Sequence, residues 1–97
     1  MPLSEHHRRH LRKMTHHLKP VVIVGNAGLT ENVLAEIDNA LAHHELIKVR
    51  IHAADKAERQ SIIDKISAQT DSGWVTSIGH IAAFYRPAEE PKLVLPE

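Results

Sequence analysis

Residues 19–30 read K-P-V-V-I-V-G-N-A-G-L-T, and this segment decides the fold. Its β-branched run at 21–24 contains no polar residue, which is typical of a central strand covered on both faces. The glycine-flanked residues 25–28 can make a tight turn, and Thr30 is suited to cap a following helix. Such a turn leaves backbone N–H groups at the positive end of the helix dipole. The segment therefore predicts a site that suits a phosphate group.

Positive charge is concentrated just before this segment. The formal net charge is zero, yet residues 1–19 carry five Lys/Arg and one Glu, whereas residues 20–97 carry seven Lys/Arg and eleven Asp/Glu. Five of the nine histidines also lie in the basic segment, and imidazole gains positive charge in mild acid. Charge alone fits a solvated helix face equally well. Beside a phosphate-sized turn, it favours a nucleic-acid backbone as the partner.

Length and composition exclude several classes of protein. The 97 residues suffice for one small domain with a core of two or three helices on a sheet. There is no cysteine, so neither a disulfide framework nor a cysteine-based zinc site is possible. We see no apolar run of signal-peptide or membrane-spanning length. We therefore expect a cytoplasmic protein that has no membrane partner.

Periodicity and capping residues predict the order α-β-α-β-α-β-β. The expected elements are a helix capped by Ser4 that ends near Thr15 or His17, the strand 21–24, a helix from Thr30, a strand at 46–51, a helix from Asp55 to about Thr70, and strands at 74–78 and 81–86. Gly79-His80 joins the last two as a tight hairpin. Right-handed β-α-β crossovers make the first three strands parallel, and the hairpin adds an antiparallel fourth. We expect the first helix to lie opposite the other two.

Three stretches resemble sequences of the YhbY family. Its members are stand-alone bacterial versions of the CRM domain (chloroplast RNA splicing and ribosome maturation). They are L-K-P-V-V-I-V-G-N-A-G-L-T (18–30), V-L-A-E-I-D-N-A-L-A-H-H-E-L-I-K-V-R-I (33–51) and I-G-H-I-A-A-F-Y-R-P (78–87). The resemblance implies a compact α/β fold with a four-stranded mixed sheet, similar to the C-terminal domain of translation initiation factor three. It places that domain at residues 1–87, followed by an extended tail at 88–97.

The resemblance also implies the residues that contact RNA. In the family a GxxG turn is thought to contact the RNA backbone, and the matching residues here are Gly25, Asn26, Ala27 and Gly28. The two central positions hold no Lys or Arg, so charge has to come from elsewhere. The candidates are Arg8, Arg9, Arg12, Lys13, Lys19, Lys48, Arg50 and Arg86. Lys19 lies away from the turn if the first strand enters at the far edge of the sheet. For Lys48, Arg50 and Arg86, a surface salt bridge is an equal alternative.

Catalytic and ligand-binding motifs do not emerge from the residue pattern. The turn matches neither G-x-x-x-x-G-K-[ST] nor G-x-G-x-x-G, so we expect no nucleotide cofactor and no small-molecule substrate. No triad order or paired-carboxylate motif is present, so we expect no enzyme. His6 and His10 have chelating spacing on a helix but lack a third ligand, so we predict no metal site. With one Trp, one Tyr and one Phe, stacking on aromatic rings cannot be the main source of RNA affinity.

We therefore expect a monomeric, non-catalytic RNA-binding protein. The resemblance points to ribosomal RNA, or precursors of the large ribosomal subunit, as the partner, and to a role in ribosome assembly. Two alternatives stay open. The acidic chain from residue 20 onward also suits a module that docks on a ribosomal protein or assembly factor. The clustered histidines are compatible with a metal-responsive regulator.

Overall fold

The computed structural model describes residues 3–96. Its elements are α1 (Glu5–Met14), a short 3₁₀ turn (Thr15–His17), β1 (Pro20–Val24), α2 (Glu31–His44), β2 (Leu46–Ile51), α3 (Lys56–Thr70), β3 (Gly73–Ile78) and β4 (Ile81–Tyr85). The order of helices and strands is the predicted one. The first two residues of the predicted domain (1 and 2) and the last residue of the predicted tail (97) lie outside the described residues.

All three helices begin at the predicted capping residues. In each case a side-chain oxygen accepts a hydrogen bond from the backbone N–H three residues on, which satisfies a donor that the first helical turn leaves free. The pairs are Ser4 with His7 at 3.1 Å, Thr30 with Val33 at 3.2 Å, and Asp55 with Glu58 at 2.8 Å. Local chemistry thus sets where each helix starts.

The sheet is mixed, with strand order β1-β2-β4-β3. β1 is parallel to β2, and β4 is antiparallel to both of its neighbours, β2 and β3. The first three strands therefore run in one direction, as predicted. The last strand in the chain is inserted between the second and the third. Because β1, β2 and β3 run in the same direction, the turns that follow them all lie at one end of the sheet, which we call the GxxG end.

The sheet carries an apolar cluster on each face. On one face, residues from β1, β2 and β4 pack against α2 and α3 around Phe84 and Ile37. On the other face, Leu11 of α1 packs with Leu46, Val75 and Tyr85. α1 therefore lies on the opposite face from α2 and α3, as predicted.

The prediction that β1 is a central strand covered on both faces was wrong. β1 is an edge strand, and only the face toward α2 is covered. Val22 and Val24 are buried, whereas Val21 is 52% exposed and Ile23 is 58% exposed. The cause lies in the tertiary packing, because α1 packs mainly against β3 and leaves the far edge of its own face open. A run of β-branched residues suits a strand but does not report how many faces are covered.

The segment after β4 folds back onto the α1 face of the sheet. Leu93 and Leu95 pack against the cluster around Leu11. The carbonyl oxygen of Pro96 accepts a hydrogen bond from Nε2 of His7 at 2.7 Å, and the ring nitrogen must donate because a carbonyl can only accept. Within residues 3–96, no helix combines the length and the apolar character needed to cross a membrane.

Candidate nucleic-acid interface

The turn after β1 is closed by two backbone hydrogen bonds. The N–H of Gly28 donates to the carbonyl of Gly25 at 3.0 Å, and the N–H of Thr30 donates to the carbonyl of Gly28 at 3.1 Å. Gly28 has φ +78°, a conformation that strains any residue with a side chain. Asn26 and Ala27 are exposed at the tip, and no acceptor in residues 3–96 takes their N–H groups. The tip therefore offers two backbone donors to an outside acceptor.

Gly25, unlike Gly28, does not have a backbone conformation that requires a glycine. A Cβ atom added at Gly25 would meet no atom within 4 Å, and its φ does not lie in the left-handed region. Neither strain nor packing within the described chain requires a glycine at this position. The missing side chain leaves the backbone accessible, so a large group can approach the turn closely.

A cleft separates this turn from the loop that follows β2. It is lined by Gly25, Asn26, Gly28, His52, Ala53, Ala54 and Glu58. The N–H of His52 donates to the carbonyl of Val24 at 2.9 Å, which ties the loop to β1. The Glu58 carboxylate accepts the N–H of Ala54 at 3.1 Å, so it places negative charge in the cleft. An anion is therefore better accommodated at the outer tip, at Asn26 and Ala27, than in the cleft.

The exposed cations of α1 are Arg9, Arg12 and Lys13. None of the three forms a salt bridge with a described residue. Their charge is therefore available to a partner outside the chain. Their exposure agrees with the polar helix surface that the sequence predicts, and their role as phosphate ligands stays a prediction.

Arg8 is engaged within the fold. Its Nε donates to the carbonyl of Trp74 at 3.2 Å, and its guanidinium lies 5.4 Å from the centre of the Trp74 ring. It also forms an ion pair with Glu5. These contacts hold α1 against β3, so the guanidinium is far less available than those of Arg9 and Arg12.

Lys19 and Arg86 lie at the opposite end of the sheet from the GxxG end, because one precedes β1 and the other follows the antiparallel β4. Arg86 donates to the Asp38 carboxylate at 2.6 Å, to the Asp38 carbonyl at 3.0 Å and to the Thr70 carbonyl at 2.8 Å. For Arg86 the structure thus has the salt bridge that the sequence left as an alternative. Arg86 links the end of β4 to α2 and α3.

Lys48 and Arg50 lie on the α1 face of β2, whose alternate residues face α2 and α3. Lys48 is half-buried and Arg50 is exposed, and neither forms a salt bridge within residues 3–96. The predicted separation of these two side chains from Ile47, Val49 and Ile51 is therefore confirmed. Their position next to α1 could not be read from the sequence.

Charge is segregated between the two sides of the sheet. Six Lys/Arg and one acid, Glu5, lie on α1 and on the α1 face of β2, while the segment after β4 adds the exposed acids Glu89 and Glu90; the six cations are Arg8, Arg9, Arg12, Lys13, Lys48 and Arg50. On the other side, α2 carries three acids (Glu31, Glu36 and Asp38) and no Lys or Arg, while α3 carries nearly balanced charge. A polyanion is therefore attracted to the α1 side and repelled by α2.

Glu45 is a buried charged residue that the sequence analysis did not single out. It is 2% exposed, and its carboxylate accepts hydrogen bonds from the N–H groups of Ala88, Lys92 and Leu93 at 3.1, 2.7 and 3.2 Å. Burial by itself raises the pKa of Glu45, but these hydrogen bonds and the charge of Lys92 outweigh burial and lower it. No sequence signal marks Glu45, because its partners lie more than forty residues away.

Tyr85 is the titratable neighbour of this site. Burial, followed by the negative charge of Glu45, raises the pKa of its phenol.

Within residues 3–96, no group of three or more His, Asp or Glu side chains is arranged to hold a metal ion. The ring centroids of His6 and His7, both on α1, are 6.0 Å apart.

Comparison with known proteins places these features in a family. The chain matches the CRS1/YhbY (CRM) domain over residues 3–86. It is 52% identical over 94 residues to an RNA-binding protein of Haemophilus influenzae, with 97% of this chain and 95% of the relative covered. It is 44% identical over 91 residues to a probable RNA-binding protein of Pseudomonas aeruginosa, with 94% and 88% covered.

A solved structure agrees with the fold as well. A Staphylococcus aureus protein for which RNA binding has been suggested superimposes with a TM-score of 0.86 at 30% identity, covering 98% of this chain and 100% of that one. The fold is thus that of a compact α/β domain with three helices and a four-stranded mixed sheet. The chain belongs to the CRS1/YhbY (CRM) domain family.

Proposed function

We propose that this protein is a non-catalytic RNA-binding protein that binds ribosomal RNA, or precursors of the large ribosomal subunit, and assists ribosome assembly. The observation that carries the proposal is the set of exposed α1 cations that form no salt bridge with a described residue, in a domain whose glycine turn has two free backbone donors. The names of the relatives support RNA as the partner. The link to the large subunit rests on the family resemblance.

Binding would combine two physical contributions. The N–H groups of Asn26 and Ala27 would donate to phosphate oxygens, and the open space beside Gly25 would allow the RNA backbone to approach. Arg9, Arg12 and Lys13 would supply attraction that depends on salt and not on sequence. Contacts of this kind position a protein on RNA without reading its bases.

A pair of variants at the tip of the turn tests the phosphate contact. Ala27 is exposed, so a longer side chain there fits without repacking. Ala27→Glu should weaken binding to a labelled ribosomal RNA transcript by about tenfold, because a negative charge then faces the phosphate. Ala27→Gln has the same size without the charge and should bind nearly as the native protein does. Fluorescence anisotropy at fixed salt measures both, and equal affinities for the two variants would rule out a phosphate at the tip.

Association with ribosomal particles tests the assembly role. Sedimentation of cell extracts should place the protein with precursors of the large subunit, and the Ala27→Glu variant should be lost from those fractions. Sedimentation of both forms free of ribosomal particles would contradict the role.

One observation favours a second candidate function. The acidic surface of α2 suits a basic protein partner, such as a ribosomal protein. Nuclease treatment of ribosomal particles distinguishes the two candidate functions. It should release this protein if RNA holds it there, and leave it bound if a ribosomal protein holds it.

A further inference from the structure

One region of the α1 face is left uncovered and is unusual for its exposed aliphatic side chains. A row of directly paired residues crosses all four strands: Ile23 pairs with Arg50, Arg50 with Ile81, and Ile81 with Ile78. Ile23 is 58% exposed and Ile78 is 72% exposed. We call Ile23, Lys48, Arg50, Ile78 and Ile81 together the open sheet face. The row from Ile23 to Ile78 is the last one on the α1 face before the GxxG end.

We infer that the open sheet face binds unpaired nucleotides of RNA, whose base faces lie on its aliphatic side chains while their phosphates are held by Lys48 and Arg50. This inference rests on the proposed function, since it names the form of RNA that the protein prefers. It adds a second contact surface beside the glycine turn.

Charge is the first argument for an RNA occupant. The charged side chains of the open sheet face are both cations, and neither has a carboxylate partner within residues 3–96. Lys48 is in addition half-buried. A partly buried cation without a counter-ion is costly, and a bound anion relieves that cost. Arg12 adds to this charge, because it lies one helical turn before Thr15, which borders the same region.

Shape is the second argument. Between the end of α1 and the row of isoleucines lies a cavity of about 140 Å³, lined by Thr15, Lys48, Thr76, Ile78, Ile81 and Ala83. Sites for cofactors and drug-sized ligands are larger, roughly 300–1,000 Å³. The cavity is too small for such a ligand, and it adjoins the exposed side chains of the row, against which a planar base can lie.

Position is the third argument. Ile23 precedes Gly25 by two residues, so the open sheet face and the glycine turn are consecutive parts of one surface. An RNA strand whose phosphate lies at Asn26 and Ala27 can therefore continue across Ile23 and Arg50. The row is about 14 Å long if neighbouring strands are 4.7–4.9 Å apart, which is wider than one base.

The chemistry of the face selects unpaired RNA. Within a duplex the base faces are covered by stacking, and only unstacked bases can lie on a protein surface. The Thr15 hydroxyl, which lines the cavity, donates to the Arg12 carbonyl at 2.7 Å and is therefore not free to donate to a base edge. The face should therefore distinguish unpaired from paired RNA without a strong preference for sequence. The Arg50 guanidinium can stack on a base as well as bind a phosphate.

The test compares one 12-nucleotide single-stranded RNA with the duplex of the same sequence, using fluorescence anisotropy at fixed salt. The native protein should bind the single strand more tightly. The double variant Ile23→Ser, Ile78→Ser should bind the single strand about tenfold more weakly and the duplex unchanged. Val94→Ser removes an aliphatic side chain that is 85% exposed in the tail, and it should leave both affinities unchanged.

A gain of affinity provides a readout that misfolding cannot produce. Ile78→Tyr places an aromatic ring on the exposed end of the row, and it should tighten single-strand binding several-fold because bases stack on aromatic faces. The duplex affinity should not change.

The outcomes separate this inference from the proposed function. If the native protein binds neither RNA, both fail. If it binds RNA, and the double serine variant binds both RNAs as the native protein does, the open sheet face is no RNA surface, and a protein partner or a second copy of this chain would cover it. Equal weakening for single strand and duplex would also overturn the preference for unpaired nucleotides. In both of these cases the turn and α1 can still bind RNA.

Discussion

Glu45 illustrates how one side chain organises a distant segment of the chain. Its backbone has φ 64° at the end of α2, and its carboxylate replaces water for three N–H groups of the segment after β4. Buried carboxylates of this kind are stabilised only when their hydrogen bonds are satisfied. Glu45 therefore holds residues 88–93 against the body of the domain.

Replacing Glu45 with Gln should lower the free energy of unfolding at pH 7 by about 1–3 kcal/mol, because an amide accepts fewer N–H donors and carries no charge. The folded-state pKa of Glu45 is lowered, so its ionisation adds stability above the unfolded-state pKa. That contribution is lost as pH falls from about 4.3 through the folded-state pKa. Urea denaturation should thus give a difference between native and variant that narrows in acid.

Glu36→Gln serves as the control, since Glu36 is exposed on α2. It should unfold nearly as the native protein does at every pH. A difference between native and Glu45→Gln that stays constant from pH 7 to pH 3 would mean that the Glu45 carboxylate does not account for the effect.

Arg8 and Arg86 show why a candidate ligand has to be judged by what its side chain already contacts. Both are candidate RNA ligands in the sequence analysis, Arg8 as part of the basic first helix and Arg86 as the residue that ends the last strand. Arg8 contacts Trp74 and Glu5, and Arg86 contacts Asp38 and Thr70. Withdrawing either guanidinium toward RNA would break contacts that hold helices in place. Arg9, Arg12 and Lys13 form no salt bridge with residues 3–96 that such a movement would break.

At the scale of the element, α1 combines two functions on different faces. Leu11 is fully buried against the sheet, whereas the basic residues lie on the sides and the outer face. The helix is therefore held by a small apolar contact and presents charge to solvent. Substitution of the outer residues should alter binding without altering the fold.

The triple variant Arg9→Gln, Arg12→Gln, Lys13→Gln should reduce RNA affinity and flatten its dependence on salt. If each residue meets one phosphate of a single strand, the slope of log K against log salt should fall by roughly 0.7 × 3, or about 2. Titrations at four or more salt concentrations measure the slope. Glutamine is a good helix former, so the helix should persist.

Lys56→Gln, Lys65→Gln is the matched control for this experiment. Both lysines are exposed on α3, on the opposite side of the sheet. Their removal should leave the slope nearly unchanged. Equal flattening by the α1 and α3 variants would show that total charge matters and that the side of the sheet does not.

At the scale of the whole molecule, the sheet separates a basic side from an acidic one. Salt screens the electrostatic field of each side within about 8 Å at physiological ionic strength. The RNA therefore interacts mainly with the charges on the side of the sheet that is nearer to it. The glycine turn lies at the GxxG end, between the two sides. A single encounter can therefore bring the turn, α1 and the open sheet face to one RNA.

Hydrogen exchange of the complex should map this orientation. Addition of RNA should slow amide exchange at residues 25–28, in α1 and along the GxxG end of β1 and β2. Exchange in α3 should be little affected, because its exposed surface faces away from RNA in this arrangement. Protection strongest in α3 would place RNA on the other side of the sheet and contradict the assignment by charge.

The sequence by itself determined the features that depend on neighbouring residues. Ser4, Thr30 and Asp55 specify the starts of the helices because a cap bonds to a backbone group three residues away. The glycine turn, the alternation in β2 and the hairpin at Gly79 follow from equally local conformational preferences. The common direction of the first three strands follows from the crossover helices, each of which returns the chain to the end of the sheet where the previous strand began.

Only the tertiary structure decided how these elements cover one another. The insertion of β4 between β2 and β3 and the edge position of β1 depend on contacts between residues far apart in the chain. Those contacts leave Ile23 exposed, bury Glu45 and engage Arg86. Local patterns specify which side chain faces which side of its own strand or helix. Whether another element then covers that side is set by long-range packing, which no neighbouring residue encodes.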